Sequence, residues 1–195
     1  MKKHKFPILL TLGAVLILIG LALVVVFQIR VHTGSAERQE VLAKMEVLLP
    51  DRSAGVPGAY PNANMPVLEI DGVDYAAMLE IPSLNVTLPV ADKWNSDKLL
   101  KSPARFYGSA YGHSLVIGGA DTAQQFSFCD KIQNGTLVTV TDMTGAQFSY
   151  TVVGVDRSAS AESQWLIRQE YDLTLFCRDT YATEYIAVRC KFAYR

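Results

Sequence analysis

The chain divides into three stretches by the pattern of its apolar residues. Residues 6–27 carry no charge, and at about 1.5 Å rise per residue they form a helix of about 33 Å, enough to cross a bilayer. Between residues 36 and 49 apolar side chains recur at helical spacing, with Ser35 placed to cap the helix and Pro50 to end it. From residue 67 onward, short apolar runs of β type alternate with turn residues.

The third stretch holds eight candidate strands and two short candidate helices. The strands are residues 67–70, 75–81, 84–90, 114–117, 136–141, 147–155, 172–177 and 185–192, and the helices are 124–131 and 162–168. About eight short strands with regular turn signals predict a closed barrel or a sandwich. The fold is therefore expected to be mainly β, with an N-terminal transmembrane helix and a juxtamembrane helix before it.

Charge is distributed unevenly along the chain, and this predicts which end lies on which side of the membrane. The first 30 residues carry four basic and no acidic side chains, whereas the rest carry 14 basic and 19 acidic ones. An acidic domain argues against nucleic acid as a partner. The basic N-terminus stays in the cytoplasm by the positive-inside rule. We predict a cytoplasmic segment (1–5), a transmembrane signal anchor (6–29), a juxtamembrane helix and linker (30–65) and an extracellular β domain (66–195), so the protein is expected in the cell membrane with a single pass.

Three cysteines bear on the chemistry of the domain. An odd number in an exported domain leaves at least one outside any internal disulfide. Cys129 and Cys190 lie in apolar runs and are predicted to be small buried side chains. Cys177 ends a strand beside Arg178 and is a candidate nucleophile, provided that a base and an oxyanion stabiliser lie nearby. The cysteines and His113 lack zinc-site spacing, so we expect no metal and no cofactor.

Four segments together resemble the sortase family. They are LEIPSLNVTLPV at residues 79–90, LVIGGA at 115–120, LTLFC at 173–177 and AVRC at 187–190. The resemblance implies a closed eight-stranded β-barrel on the outer face of a Gram-positive membrane, closest to the class B type, which has an N-terminal helical extension. It also implies transpeptidation, in which a cysteine thiolate cleaves a sorting-signal peptide and an amine of the cell wall or of a pilin resolves the thioester.

Two of the family's three catalytic positions are substituted. The family histidine falls at Ala120, and alanine exchanges no proton. The family arginine falls at Tyr185, which donates a hydrogen bond but carries no charge at neutral pH. Arg189 lies on the same face of that strand, four residues and about 13 Å further on, and is the remaining candidate cation. His113 precedes a strand of about 23 Å whose far end carries Ala120, so it is expected at the wrong end.

The third position depends on the register of the strand that ends in Cys177 and Arg178. Without a gap, Arg178 occupies the nucleophile position; with a gap, Cys177 is the nucleophile. Successive side chains of a strand alternate between its faces, which places Cys177 with Leu173 and Leu175 toward the core and favours the register without a gap.

Three functions are compatible with this sequence. The first is a catalytically degenerate sortase-family pseudoenzyme that acts as a binding or scaffold module at the cell surface, for a sorting-signal or pilin peptide. The alternative is an atypical cysteine transpeptidase or hydrolase that anchors surface proteins through Cys177, with Arg178 or Arg189 as the cation. The third is a structural β domain without a related function.

Overall fold

A computed structural model describes the backbone of residues 5–55, 64–95, 99, 101–112 and 114–193, and side chains from residue 13 to 26 and from 36 onward within those ranges. Nearly all of the predicted cytoplasmic segment 1–5 therefore lies outside the described residues. The chain forms two compact units, Met1–Glu37 and Arg38–Arg195.

A single helix, α1 (Lys5–Leu48), replaces the two helices that the sequence predicts. The expected break and cap at Ser35 are wrong, because the segment around it lacks a proline and one glycine costs a helix only about 1 kcal/mol. The helix ends just before Pro50, which cannot continue it. Large apolar side chains between residues 15 and 26 are about half exposed or more. Within the described residues, none of the helices combines the length and apolarity needed to cross a membrane.

The second unit contains the strands predicted from the turn pattern and adds two, one before the first and one between the third and fourth. They are β1 (Ser53–Ala54), β2 (Leu68–Ile70), β3 (Val73–Ile81), β4 (Val86–Ala91), β5 (Ala104–Tyr107), β6 (Leu115–Gly118), β7 (Leu137–Asp142), β8 (Ala146–Ser158), β9 (Leu173–Arg178) and β10 (Tyr185–Phe192). The predicted helix at 162–168 is present as α2 (Ser163–Leu166), whereas residues 124–131 form consecutive turns and not a helix.

Eight of these strands close a barrel, which confirms the predicted eight-stranded sortase-like barrel. The hydrogen-bonded order runs β3-β4-β5-β6-β9-β10-β8-β7 and returns to β3. Around this ring, β4–β5 and β6–β9 pair in parallel and the other neighbours pair antiparallel. Strand β5 was missed because its ARFY sequence is short and keeps a charged residue, Arg105, that pairs with Asp92.

The barrel interior holds the main apolar core, and strand alternation decides which residues enter it. In β9, Leu173, Leu175 and Cys177 belong to this interior cluster, whereas Phe176 belongs to a separate cluster on the outer face. Both clusters are buried, so β9 is apolar almost throughout and yet has two distinct faces. The outer face of β6, β9 and β10 is the surface on which the candidate site lies.

The C-terminal end of α1, from Arg38 onward, is part of the second unit. Val41 and Met45 form a small apolar cluster with Ile70 and Tyr75. This segment thereby belongs to the domain, which agrees with the amphipathic spacing of residues 36–49.

Candidate functional site

The ends of β6, β9 and β10 bring together the three positions that the sequence resemblance assigns to the catalytic residues. Gly118 of β6 pairs with Phe176 of β9, and Arg178 of β9 pairs with Tyr185 of β10. Ala120 follows Gly118 by two residues and therefore lies at the same end of the sheet. The substituted positions are neighbours in space although up to 65 residues separate them in sequence.

Cys177 and Arg178 have opposite environments. The Cys177 side chain is 1% exposed and its Sγ–H donates to the backbone oxygen of Phe126 at 3.8 Å, inside the barrel. Arg178 is exposed, and no ion pair or side-chain hydrogen bond links it to the rest of the described chain. A peptide on the outer face would therefore meet the arginine, and not the thiol.

Tyr185 and Ala120 offer little acid–base chemistry. Tyr185 is half-buried against the outer-face cluster that contains Phe176. Ala120 is half-buried and its backbone N–H donates to the Gln125 side-chain oxygen at 3.2 Å. His113 lies outside the described residues, and so does the side chain of His32.

Arg189, the remaining candidate cation, is fully buried and committed to protein acceptors. Its Nε donates to Asp156 at 2.9 Å and its Nη1 to the Thr174 hydroxyl at 3.2 Å. The backbone oxygens of Leu166 and Trp165 accept from the two Nη atoms at 3.1 and 2.7 Å. Arg189 thus fastens the segment between β8 and β9 to the outer face of the sheet.

Aromatic rings complete this attachment of the segment. The Arg189 guanidinium lies 5.0 Å from the centroid of the Trp165 ring and 5.3 Å from that of Tyr171. This cation lies near two rings, makes four hydrogen bonds to the protein and is fully buried, so its role is structural.

The protein's own aromatic side chains fill the outer face beside Arg178. Phe176 stacks on Trp94 with ring centroids 5.3 Å apart, and Phe106 meets both rings edge-on at 5.4 Å. A Cβ added to Gly118 would lie 2.2 Å from the Trp94 ring, so only glycine lets the indole settle there. Sequence reasoning missed this cluster, since Trp94 sits in a loop and only its contact with Gly118 reveals its place.

Hydrogen bonds fix the loop that follows β9 over the same strand ends. Asp121 accepts from the Thr180 backbone N–H at 3.0 Å, and the Thr180 hydroxyl donates to the Asp121 backbone oxygen at 3.4 Å. Asp179 accepts from the backbone N–H groups of Tyr181 and Ala182 at 2.7 and 2.9 Å. The Ala182 bond and then the Tyr181 bond hold the pKa of Asp179 below its ordinary value.

Among the described residues no group of three or more histidine, cysteine or acidic side chains is placed to hold a metal ion. At the strand ends lie an exposed arginine, a half-buried phenol and a filled aromatic floor. This surface offers contacts to a bound chain, and each cysteine of the described part of the chain is buried.

The family model and the similar solved structures point to the same family. The model of the Sortase domain matches residues 79–191. Comparison with curated proteins gave no match. Sortase C1 from Streptococcus agalactiae is similar in structure, with a TM-score of 0.55 and 22% identity over 70% of this chain and 74% of that one.

Two further solved structures share the fold at low identity. A lid mutant of sortase A from Corynebacterium diphtheriae has a TM-score of 0.53 and 20% identity, covering 69% of this chain and 74% of that one. A sortase D5 transpeptidase from Clostridium perfringens has a TM-score of 0.55 and 18% identity, covering 62% of this chain and 80% of that one. These similarities support the barrel fold. The expected assignment to the class B branch stays a prediction.

Proposed function

Because this chain belongs to the sortase family, we propose that it keeps the family barrel as a binding or scaffold module and has lost the family's transpeptidase chemistry. The observation that carries this proposal is the placement of two neighbouring side chains. The Cys177 thiol is buried in the core, while Arg178 projects at the exposed end of β9.

The chemistry of acyl transfer supports the same conclusion. A thiolate must reach the scissile carbonyl, an acid must protonate the leaving amine, and a cation or N–H group must stabilise the oxyanion. Ala120 supplies no proton and Tyr185 no charge. Arg189 is fully buried and makes four hydrogen bonds to the protein itself. The alternative, an atypical transpeptidase or hydrolase, needs the barrel to open at β9 before Cys177 can act.

The proposed ligand is an extended sorting-signal or pilin peptide, and the proposed location is the outer face of the cell membrane. The charge-free run within residues 6–29 and the exposed apolar side chains from 15 to 26 support tethering by the N-terminal helix. The excess of basic residues before that run supports an extracellular domain.

A turnover assay tests the loss of chemistry. The full chain, in detergent and a reducing buffer, is mixed with fluorogenic sorting-signal peptides and an amine acceptor. We expect no cleavage or transfer above the rate of Cys177→Ala, and no iodoacetamide adduct on Cys177 in the folded state. Turnover that Cys177→Ala abolishes would contradict the proposal and support the alternative.

Rebuilding the site tests the register. The combined variant Ala120→His, Cys177→Thr, Arg178→Cys and Tyr185→Arg is expected to label with iodoacetamide at residue 178. The matched control carries the Ala120→His and Tyr185→Arg changes alone and should stay unlabelled. Labelling of Cys177 in that control would show that the register is wrong.

A further inference from the structure

Two buried cysteines in the barrel core donate to the same backbone oxygen. Cys129 and Cys177 are 0% and 1% exposed and belong to the same interior cluster. The backbone oxygen of Phe126 accepts from the Cys129 N–H at 3.0 Å and from the Cys177 Sγ–H at 3.8 Å. Both cysteines are free thiols.

The third cysteine is set apart from Cys177. Cys190 of β10 pairs with Leu173 of β9, four residues along the strand from Cys177 and therefore about 13 Å away. Burial raises the pKa of Cys129 and of Cys190. Thiolate is therefore scarce at both sites in the folded domain, and any oxidation is favoured while the chain is still folding.

We propose that Cys129 and Cys177 form an intramolecular disulfide when the domain folds under oxidising conditions, leaving Cys190 reduced. The bond would join the segment that follows Ala120 to the strand that ends at Arg178, and so lock two parts of the candidate site together. The two thiols lose two protons and two electrons to an oxidised disulfide, such as glutathione disulfide, which leaves as two thiols. The inference does not depend on the proposed binding function, since it concerns the core and not the outer face.

The test is oxidative refolding of the full chain. The reduced, denatured chain is refolded in detergent with reduced and oxidised glutathione, then denatured and alkylated with N-ethylmaleimide. We expect a loss of two hydrogens, one alkylated cysteine at position 190, and a disulfide between tryptic peptides 106–131 and 169–178 under non-reducing conditions. The unfolding midpoint should rise by about 5–10 °C relative to the reduced protein, because the cross-link closes a long loop.

Two variants make the result decisive. Cys190→Ala should still form the cross-link, whereas Cys129→Ala should leave Cys177 and Cys190 both alkylated. Three alkylated cysteines in the refolded wild-type protein, a bond that includes Cys190, or a cross-linked form that unfolds at lower temperature than the reduced form would each overturn the proposal.

Discussion

At the scale of single residues, Arg189 shows how a cation can serve structure alone. It is fully buried and donates through Nε and both Nη atoms, and two of its acceptors are backbone oxygens of the segment between β8 and β9. Removing it would leave the Thr174 hydroxyl and those oxygens without their donor inside the protein. The cost of such a loss exceeds the value of the ion pair itself.

Arg189→Ala is therefore expected to lower the free energy of unfolding by about 3 kcal/mol. The matched control is Arg157→Ala, whose guanidinium pairs with Asp179 at 3.5 Å on the surface, and which should cost about 0.5 kcal/mol. Urea denaturation followed by circular dichroism measures both. Equal losses for the two variants would show that the buried contacts do not stabilise the domain.

At the scale of elements, packing on the outer face of β6 and β9 requires the Trp94 indole to lie close to the backbone of Gly118. Gly118 has no side chain, and Trp94 uses the space above it to stack on Phe176. A side chain at residue 118 would displace the ring and expose the aromatic floor.

Gly118→Ala should destabilise the domain by about 1–3 kcal/mol, because the added Cβ overlaps the Trp94 ring. It should also shift tryptophan fluorescence to longer wavelength as the indole moves into water. Gly154→Ala in β8 is the matched control, since a Cβ there meets nothing within 4 Å. An unchanged emission spectrum in Gly118→Ala would refute this packing.

The alternation of side chains along strands predicts from sequence which residues of the site face outward. It does not predict how the loops pack. The faces of Cys177 and Arg178 follow from a period of two, and so does the separation of Arg189 from Tyr185. The position of Trp94 depends on a loop whose path is set by tertiary contacts. The turns at residues 124–131 show the same limit, because apolar spacing alone does not distinguish a short helix from successive turns.

At the scale of the whole molecule, the barrel ring closes without any residue of the first unit. The barrel ring is complete within the described strands, and its interior is apolar. The proposed tether and the domain can therefore be perturbed independently.

Charges placed in the proposed membrane segment should release the protein from membranes. The double variant Leu18→Arg and Leu23→Arg places two charges in this segment. At the centre of a bilayer each charge makes insertion less favourable by about 3 kcal/mol. Val47→Arg combined with Leu48→Arg adds the same charges to exposed positions near the end of α1 and should have no effect. Sedimentation of membranes in alkaline carbonate from an expressing bacterium is the measurement. Retention of the first variant in the membrane fraction would argue against the tether.

The parallel pairing of β6 with β9 has a consequence for how the domain folds. Leu115 and Gly118 find their partners in Leu173 and Phe176, so one side of β6 remains open until the chain is nearly complete. Contacts between such distant residues slow folding, whereas the antiparallel pair of β7 and β8 forms from neighbouring sequence. The barrel should therefore close late and through its last strands. Loss of β10 would then leave an open and aggregation-prone sheet, and not a smaller stable domain.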